Sequence, residues 1–197
     1  MGSTGNTQHA IPVMLFEHQE DWTEWLDKNH AAASGVWLRF AKKGGGLMSM
    51  SYAEALEVAL CYGWIDGQSK SFDEASWLQK FTPRGAKSIW SKVNKERAQE
   101  LIRSGRMKPA GLQAIERARQ DGRWDAAYDS PSRATVPSDF QAALDSNAQA
   151  SAFFATLDSR NRYAILFRIQ TARKAETRTK RIEQFIGMLE KGEKLYP

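Results

Sequence analysis

An α+β fold is predicted for this 197-residue chain, with the strands and helices segregated along its length. Three observations carry that reading. Val36-Trp37-Leu38-Arg39-Phe40 is a β-branched and aromatic run of strand length. Ala75 to Phe81 alternates, with Trp77, Gln79 and Phe81 on one face. Beyond Pro83 the apolar residues recur at helical spacing instead. Strands followed by a run of helices imply a small antiparallel sheet with packed helices in the N-terminal half, then an all-helical C-terminal part.

Taken in order, residues 1–12 offer little to bury and read as a disordered lead. A first helix is expected from Asp21 to His30, because Trp22, Trp25 and Leu26 share one face. The strand Val36–Phe40 leads into Lys42-Lys43-Gly44-Gly45-Gly46, a loop whose glycines cost much to order. Ser51 and Glu54 then form a capping box. Tyr52, Ala55, Leu56, Ala59 and Leu60 make the buried stripe of the helix it starts, and Gly63 is a left-handed stop. Trp64-Ile65-Asp66-Gly67 reads as a short strand entering a turn, pairing antiparallel with Ala75–Phe81.

Ser91 caps a helix to about Ser104, carrying Val93, Arg97, Leu101 and Ile102. Pro109 opens another, with Leu112 and Ile115 inward and Gly122 at its end. Residues 123–136, with Trp124, Tyr128 and Pro131, read as an ordered connecting loop. Further helices follow Pro137 (Phe140, Leu144) and Asn147 (Phe153, Phe154, Leu157). One more spans Arg160–Ala172, and the last carries Ile182, Phe185, Ile186 and Leu189 before Gly192. The organisation expected is thus an α+β domain over 13–122, the loop, and a helical region over 137–197.

Composition excludes several classes. With 42% apolar and 26% charged residues the chain is neither collagen-like nor wholly disordered. No apolar run approaches the roughly 18 residues that a membrane-crossing helix needs. Met1 to Ala10 is polar and Cys61 is the one cysteine, which points to a reducing, cytoplasmic setting. The net charge of +5 is unevenly spread: −5 over residues 1–79, +7 over 80–108, −3 over 109–158, +7 over 159–181 and −1 over 182–197.

Metal and cofactor chemistry finds no support. His9, His18 and His30 are scattered, and no Cys-x-x-Cys, His-Glu-x-x-His, Gly-x-Ser-x-Gly or phosphate-binding glycine loop occurs. No metal and no cofactor is expected. Cys61, beside an apolar stripe, reads as a buried structural thiol or a reactive one.

Two constellations are candidates for binding a small anionic or aromatic ligand. In Gly63-Trp64-Ile65-Asp66-Gly67, Asp66 is a hydrogen-bond acceptor or base beside a glycine that allows close approach, or else an Asx-type turn. In Arg84-Gly85-Ala86-Lys87-Ser88-Ile89-Trp90-Ser91, a strand exit meets a helix N-terminus. There Arg84 offers a planar fork, Lys87 a point charge and Trp90 a flat ring, with Ser91 and Asn94 at the helix start. Alternatively Arg84 pairs with Asp66. An enzyme with Asp66 as base and Arg84 as anion clamp is the second reading. A third is a nucleic-acid or acidic-surface binder using Arg160, Arg162, Arg168, Arg173, Lys174, Arg178, Lys180 and Arg181, with Tyr163 the one evident stacking ring. A protein partner also stands among the expectations.

Longer strings resemble a known family. Tyr52-Ala53-Glu54-Ala55-Leu56-Glu57, Cys61-Tyr62-Gly63-Trp64-Ile65-Asp66-Gly67, Gln79-Lys80-Phe81-Thr82-Pro83-Arg84 and Ser88-Ile89-Trp90-Ser91-Lys92-Val93-Asn94 are similar to the YdeI/OmpD-associated proteins of bacteria. Gly105-Arg106-Met107-Lys108-Pro109-Ala110-Gly111, Asp121-Gly122-Arg123-Trp124, Asn161-Arg162-Tyr163-Ala164 and Arg181-Ile182 continue the likeness, with Ala175 in place of an expected proline. The resemblance covers about residues 14–197. It implies a stress-associated protein protecting against cationic antimicrobial peptides or bacteriocins, a binding protein more than an enzyme, with no catalytic residues to carry over. Some members are described as periplasmic. The N-terminal half also resembles the YdhG-like α+β fold.

Overall fold

The computed structural model describes residues 11–197. The expected lead over residues 1–12 lies outside them, apart from Ile11 and Pro12. The described chain divides into two units, residues 11–88 with 96–124 and residues 89–95 with 125–197.

The first unit holds a four-stranded sheet. Its strands are β1 (Val13–Met14), β2 (Val36–Ala41), β3 (Trp64–Ser71) and β4 (Ser76–Pro83), in the order β1-β2-β4-β3. β4 is antiparallel to both neighbours; its pairing with β3 is the expected one, and β2 takes its other edge. β1 was not anticipated: two residues pair parallel with β2, Val13 opposite Trp37. The turn expected at Gly67 is replaced by a continuing strand. β3 runs on to Ser71 through a register shift between Asp66 and Ser69, and the Gln79 side-chain amide donates to the Gly67 carbonyl at 2.9 Å. That bond satisfies a carbonyl the interrupted ladder cannot pair.

Helices α1 (Gln19–Asn29) and α2 (Tyr52–Cys61) bring their apolar stripes to the core. Trp22 is fully buried, edge-on to Trp64 and Phe81 with ring centroids 6.2 and 6.0 Å away. Its indole N–H donates to the Ala55 carbonyl at 3.1 Å, so the polar end of the ring is satisfied inside the core. The capping box of α2 forms as predicted: Ser51 Oγ accepts the Glu54 N–H, and the Glu54 carboxylate accepts the Ser51 N–H at 2.7 Å.

α3 (Lys92–Arg103) starts in the second unit and continues into the first, where α4 (Pro109–Gln120) follows. Ile102 on α3 is 37% exposed, and Leu112, expected inward on α4, is 45% exposed. The buried face of α4 is set by Gly111, Ala114, Ile115 and Ala118 instead. The reason is steric. A Cβ on Gly111 would stand 2.3 Å from the Cys61 carbonyl oxygen, so only glycine lets α4 pass this close to the end of α2. Gly63, at φ 71°, turns the chain there from α2 into β3, and the Lys108 N–H donates to the Cys61 carbonyl at 3.2 Å.

The second unit packs α5 (Ser138–Asp145), α6 (Ala148–Thr156), α7 (Ser159–Gln170) and α8 (Ala175–Glu190). Its core gathers Phe140, Leu144, Phe154, Ile165, Ile169, Phe185 and Leu189, with Phe140 and Phe154 edge to face at 5.4 Å. Asn147 and Asp158 cap α6 and α7 through their side chains. Arg178 on α8 grips Asp139 in the first turn of α5 at 2.5 and 2.8 Å, which holds the carboxyl below its ordinary pKa range.

Gly111→Ala should lower stability by about 1–3 kcal/mol, the usual range for overpacking. Gly187→Ala, on α8 with nothing within 4 Å of its added carbon, should raise it by up to about 1 kcal/mol. Urea unfolding followed by circular dichroism reads both. Asp139→Asn should cost up to about 1 kcal/mol at neutral pH, because the pair is partly exposed. Asp139 has a depressed folded pKa, so that difference should be complete above the ordinary carboxylate range and vanish as pH falls through the folded value.

Candidate functional site

The first predicted constellation lies where β3 and β4 meet. Trp64 pairs with Pro83, and the Arg84 N–H donates to the Gly63 carbonyl at 2.9 Å, so Trp64 and Arg84 are neighbours on adjoining strand ends. Trp64 belongs to the core: it is 1% exposed, donates its indole N–H to the His30 carbonyl at 3.2 Å, and stands edge-on to Trp22 and Trp25. Asp66 sits within β3 opposite Phe81 and forms no Asx-type turn. Its carboxylate accepts the Tyr52 hydroxyl at 2.8 Å, tying the first residue of α2 to the sheet. Arg84 is buried, while Lys87 is exposed in the bend that follows.

Trp90, Ser91 and Asn94 belong to the second unit. Ser91 Oγ caps α3 by accepting the Asn94 N–H at 3.1 Å. Ser91 also bridges to Tyr128, with the Lys92 N–H donating to the Tyr128 carbonyl and the Tyr128 N–H to the Trp90 carbonyl. Lys92 pairs with Asp129 at 2.8 Å.

The basic run over residues 160–181 is divided by folding. Arg162 lies 4.4 Å over the Phe154 ring, Arg178 holds Asp139, Lys180 holds Glu176 at 2.7 Å, and Arg181 donates to the Arg168 carbonyl. Arg173 and Lys174 are exposed at the turn into α8. Arg160 and Arg168 instead line one cavity of about 420 Å³ with Tyr163, Phe167 and Tyr196. The Arg160 guanidinium is 4.4 Å from the Tyr196 ring centroid and that of Arg168 is 5.8 Å away. Arg168 also donates to the Tyr196 hydroxyl at 3.2 Å, and that bond lowers the phenol's pKa.

What brings Tyr196 to α7 is a buried amide. Asn161, 1% exposed, accepts the Tyr196 N–H at 2.9 Å and donates to the Tyr196 carbonyl at 3.2 Å. Gly192, at φ 70°, ends α8 and turns the chain back so that this pairing can form. Tyr163 donates its hydroxyl to the Asp129 carbonyl at 2.9 Å, and burial pushes its pKa up to about 12.

In the first unit, Thr23, Val58, Cys61, Tyr62, Arg106 and Lys108 surround a cavity of about 300 Å³. The Cys61 thiol is buried, and desolvation pushes its pKa upward, which disfavours the thiolate. The flanking cations face carboxylates: Arg106 meets Glu57 at 3.1 Å and Lys108 meets Asp27 at 4.0 Å. Among the described residues no group of three or more His, Cys, Asp or Glu side chains is placed to hold a metal ion, and no helix is long and apolar enough to cross a membrane.

Residues 14–114 match the model of a domain of unknown function (DUF8412), more than half of the chain. The chain belongs to the DUF8412 family. Residues 133–192 match a second model, described as bacteriocin-protection, YdeI or OmpD-associated, so the C-terminal part carries that domain. This narrows the resemblance drawn from the sequence. The strings from Tyr52 to Gly111 lie in the DUF8412 part, and the Asn161 and Arg181 strings lie in the YdeI/OmpD-associated part. No curated protein and no solved structure matches the chain.

The cavity on α7 therefore stands in the YdeI/OmpD-associated part of this DUF8412 protein, with Tyr196 just beyond the matched residues. Of its residues, Arg160, Arg168 and Tyr163 were legible from the sequence. Phe167 was missed, although a ring four residues after Tyr163 on the same helix is a signal that could have found it. Tyr196 carried no local signal.

Asn161→Ala should cost about 1–3 kcal/mol in the second unit, because it removes two hydrogen bonds to the Tyr196 backbone. It should also release Tyr196. Tyrosinate absorbance against pH checks this: one tyrosine should ionise below its ordinary value in the wild type. That early phase should move up in both Asn161→Ala and Arg168→Met. An early phase that persists in both variants belongs to another tyrosine.

Proposed function

We propose that this is a bacterial stress-associated binding protein, of the bacteriocin-protection kind, whose second unit takes a small anionic ligand bearing a flat ring. One observation carries the reading: two guanidinium groups and three aromatic rings converge on one cavity of α7 and the C-terminal segment. A guanidinium offers a planar fork that fits a carboxylate, phosphate or sulfonate, and it stacks on rings where an ammonium cannot. The cavity volume lies within the range that holds a small ligand. The Arg168 hydrogen bond first, and then the charges of Arg168 and Arg160, lower the pKa of the Tyr196 phenol, and the same two cations attract an incoming anion. The domain match over residues 133–192 supports the bacteriocin-protection role. Arginines and rings that bind and orient favour a binding role over a catalytic one.

Salicylate is a suitable probe, since it is flat and anionic. Titration followed by calorimetry should show binding that weakens at least tenfold in Arg160→Met/Arg168→Met, roughly the 1.4 kcal/mol or more expected for losing charge-assisted bonds. Wild-type protein expressed in a bacteriocin-sensitive bacterium should raise survival, and the double variant should not. Equal salicylate affinity in the two proteins would remove the cavity from the proposal. Equal survival would separate the cavity from protection.

A further inference from the structure

The outer face of the sheet in the first unit has features that the α7 cavity does not explain. Along β2, Val36, Leu38 and Phe40 are buried, whereas Trp37 and Arg39 alternate with them on the opposite face. Trp37 pairs across to Lys80 on β4, and Arg39 pairs across to Leu78, which faces Lys70 on β3. Three neighbouring strands therefore bring Trp37, Arg39, Lys70 and Lys80 to one face. Trp37, Arg39 and Lys80 are half-buried there and Lys70 is exposed.

Both lysines turn toward the indole. The Lys70 ammonium lies 4.5 Å from the Trp37 ring centroid and that of Lys80 lies 6.0 Å away. The half-buried indole thus has two cations beside it that a ligand able to pair with them would displace. Arg39 is fixed separately, by Asp73 at 2.6 Å and Ser76 at 2.8 Å, and lies 5.0 Å over the ring of the half-exposed Phe72.

From this arrangement we infer that the outer face of the β2-β4-β3 sheet binds single-stranded nucleic acid. Trp37 is the stacking platform for one base, and Lys70 and Lys80 bind the flanking phosphates. The chemistry fits in three respects. A strand spacing of about 5 Å sets the cations beside the ring at the scale of one nucleotide. An indole stacks on any base, so the contact requires an unpaired base and not a particular sequence. Displaced from the ring, each ammonium exchanges a cation–π contact for a phosphate, which carries a full negative charge. Acidic lipid is the weaker fit, because Trp37 is half-buried in the middle of a flat face rather than on a protruding tip.

The test is fluorescence anisotropy of the full chain with a labelled 20-nucleotide oligo-dT in 50 mM salt. Binding should be present, at least tenfold weaker for a duplex of the same length, and about tenfold weaker in Trp37→Ala. Trp37→Phe should keep most of the affinity. Lys70→Gln/Lys80→Gln should weaken binding and lower the slope of log affinity against log salt by about 1.4. Lys174→Gln/Lys180→Gln removes the same charge from α8 and should change affinity less than twofold. The lysine variants are on the surface, so they decide the matter even where Trp37→Ala fails to fold. The inference is overturned by no binding at 50 mM salt, by equal affinity for duplex, or by unchanged affinity in Lys70→Gln/Lys80→Gln. An equal loss in the α8 variant also overturns it, as does lysine-dependent binding to phosphatidylserine vesicles without binding to the oligonucleotide.

Discussion

The buried side chain of Asn161 decides whether the second unit has a cavity at all. One amide accepts the Tyr196 N–H and donates to the Tyr196 carbonyl, as a neighbouring strand would. With both backbone groups held, Tyr196 has its ring placed against Arg160 and Arg168, and Leu195 packs on the helical core. Without this clamp the last residues of the chain would gain backbone freedom worth about 1–2 kcal/mol per residue, and the terminus would leave α7. Two arginines on a solvated helix face hold little. The same two arginines against a fixed phenol ring line a cavity of defined shape.

The first unit rests on a different constraint, the absence of side-chain carbon at two glycines. Gly63 and Gly111 let the α2–β3 turn and the start of α4 approach so closely that an added Cβ would stand 2.9 Å from the Ala110 carbonyl oxygen and 2.3 Å from that of Cys61, respectively. That approach presses α4 onto α2, and α2 onto the core face of the sheet around Trp22. Val36, Leu38 and Phe40 of β2 are buried on this side. On the opposite face of β2, Trp37 and Arg39 stay half-buried, and among the described residues Trp37 meets Lys70 and Lys80 while Arg39 meets the Phe72 ring. Asymmetric packing thus gives the two faces different chemistry.

How much of this was legible follows from the range of each interaction. The Ser51–Glu54 box, the stop at Gly63 and the cap at Asn147 all form within four residues, and such local bonds are written in local spacing. The helix stripes of α5 and α8 were legible for the same reason, whereas the Asp158 cap of α7 was missed. Leu112 shows where periodicity stops informing: it lies on α4, but which face of that helix turns inward was decided by Gly111 against the Cys61 carbonyl, a contact fifty residues apart in sequence. β1 is two residues long and exists because β2 supplies its partner. Asp66 read as a turn because glycine follows it, but the Gln79 side chain carries the strand through. Tyr196 had no periodic context, and its place depends on an amide 35 residues earlier.

Charge shows the same limit more sharply. Along the sequence an acidic stretch over residues 1–79 precedes a basic one over 80–108, which suggests two opposed surfaces. Within the first unit folding recombines part of them: Arg106 meets Glu57 and Lys108 approaches Asp27. Each exposed pair contributes about 0–1 kcal/mol, so their effect is on the field more than on stability. They cancel charge where the blocks meet. Positive potential then survives where a cation faces a ring instead of a carboxylate, because a quadrupole attracts a cation without neutralising it. Arg160 and Arg168 against Tyr196, Arg162 against Phe154, and Lys70 and Lys80 against Trp37 meet that condition. An anion meets at each place a charge still available to it and a flat surface beside it. The ring partners of the cations therefore locate binding potential better than the density of basic residues along the chain.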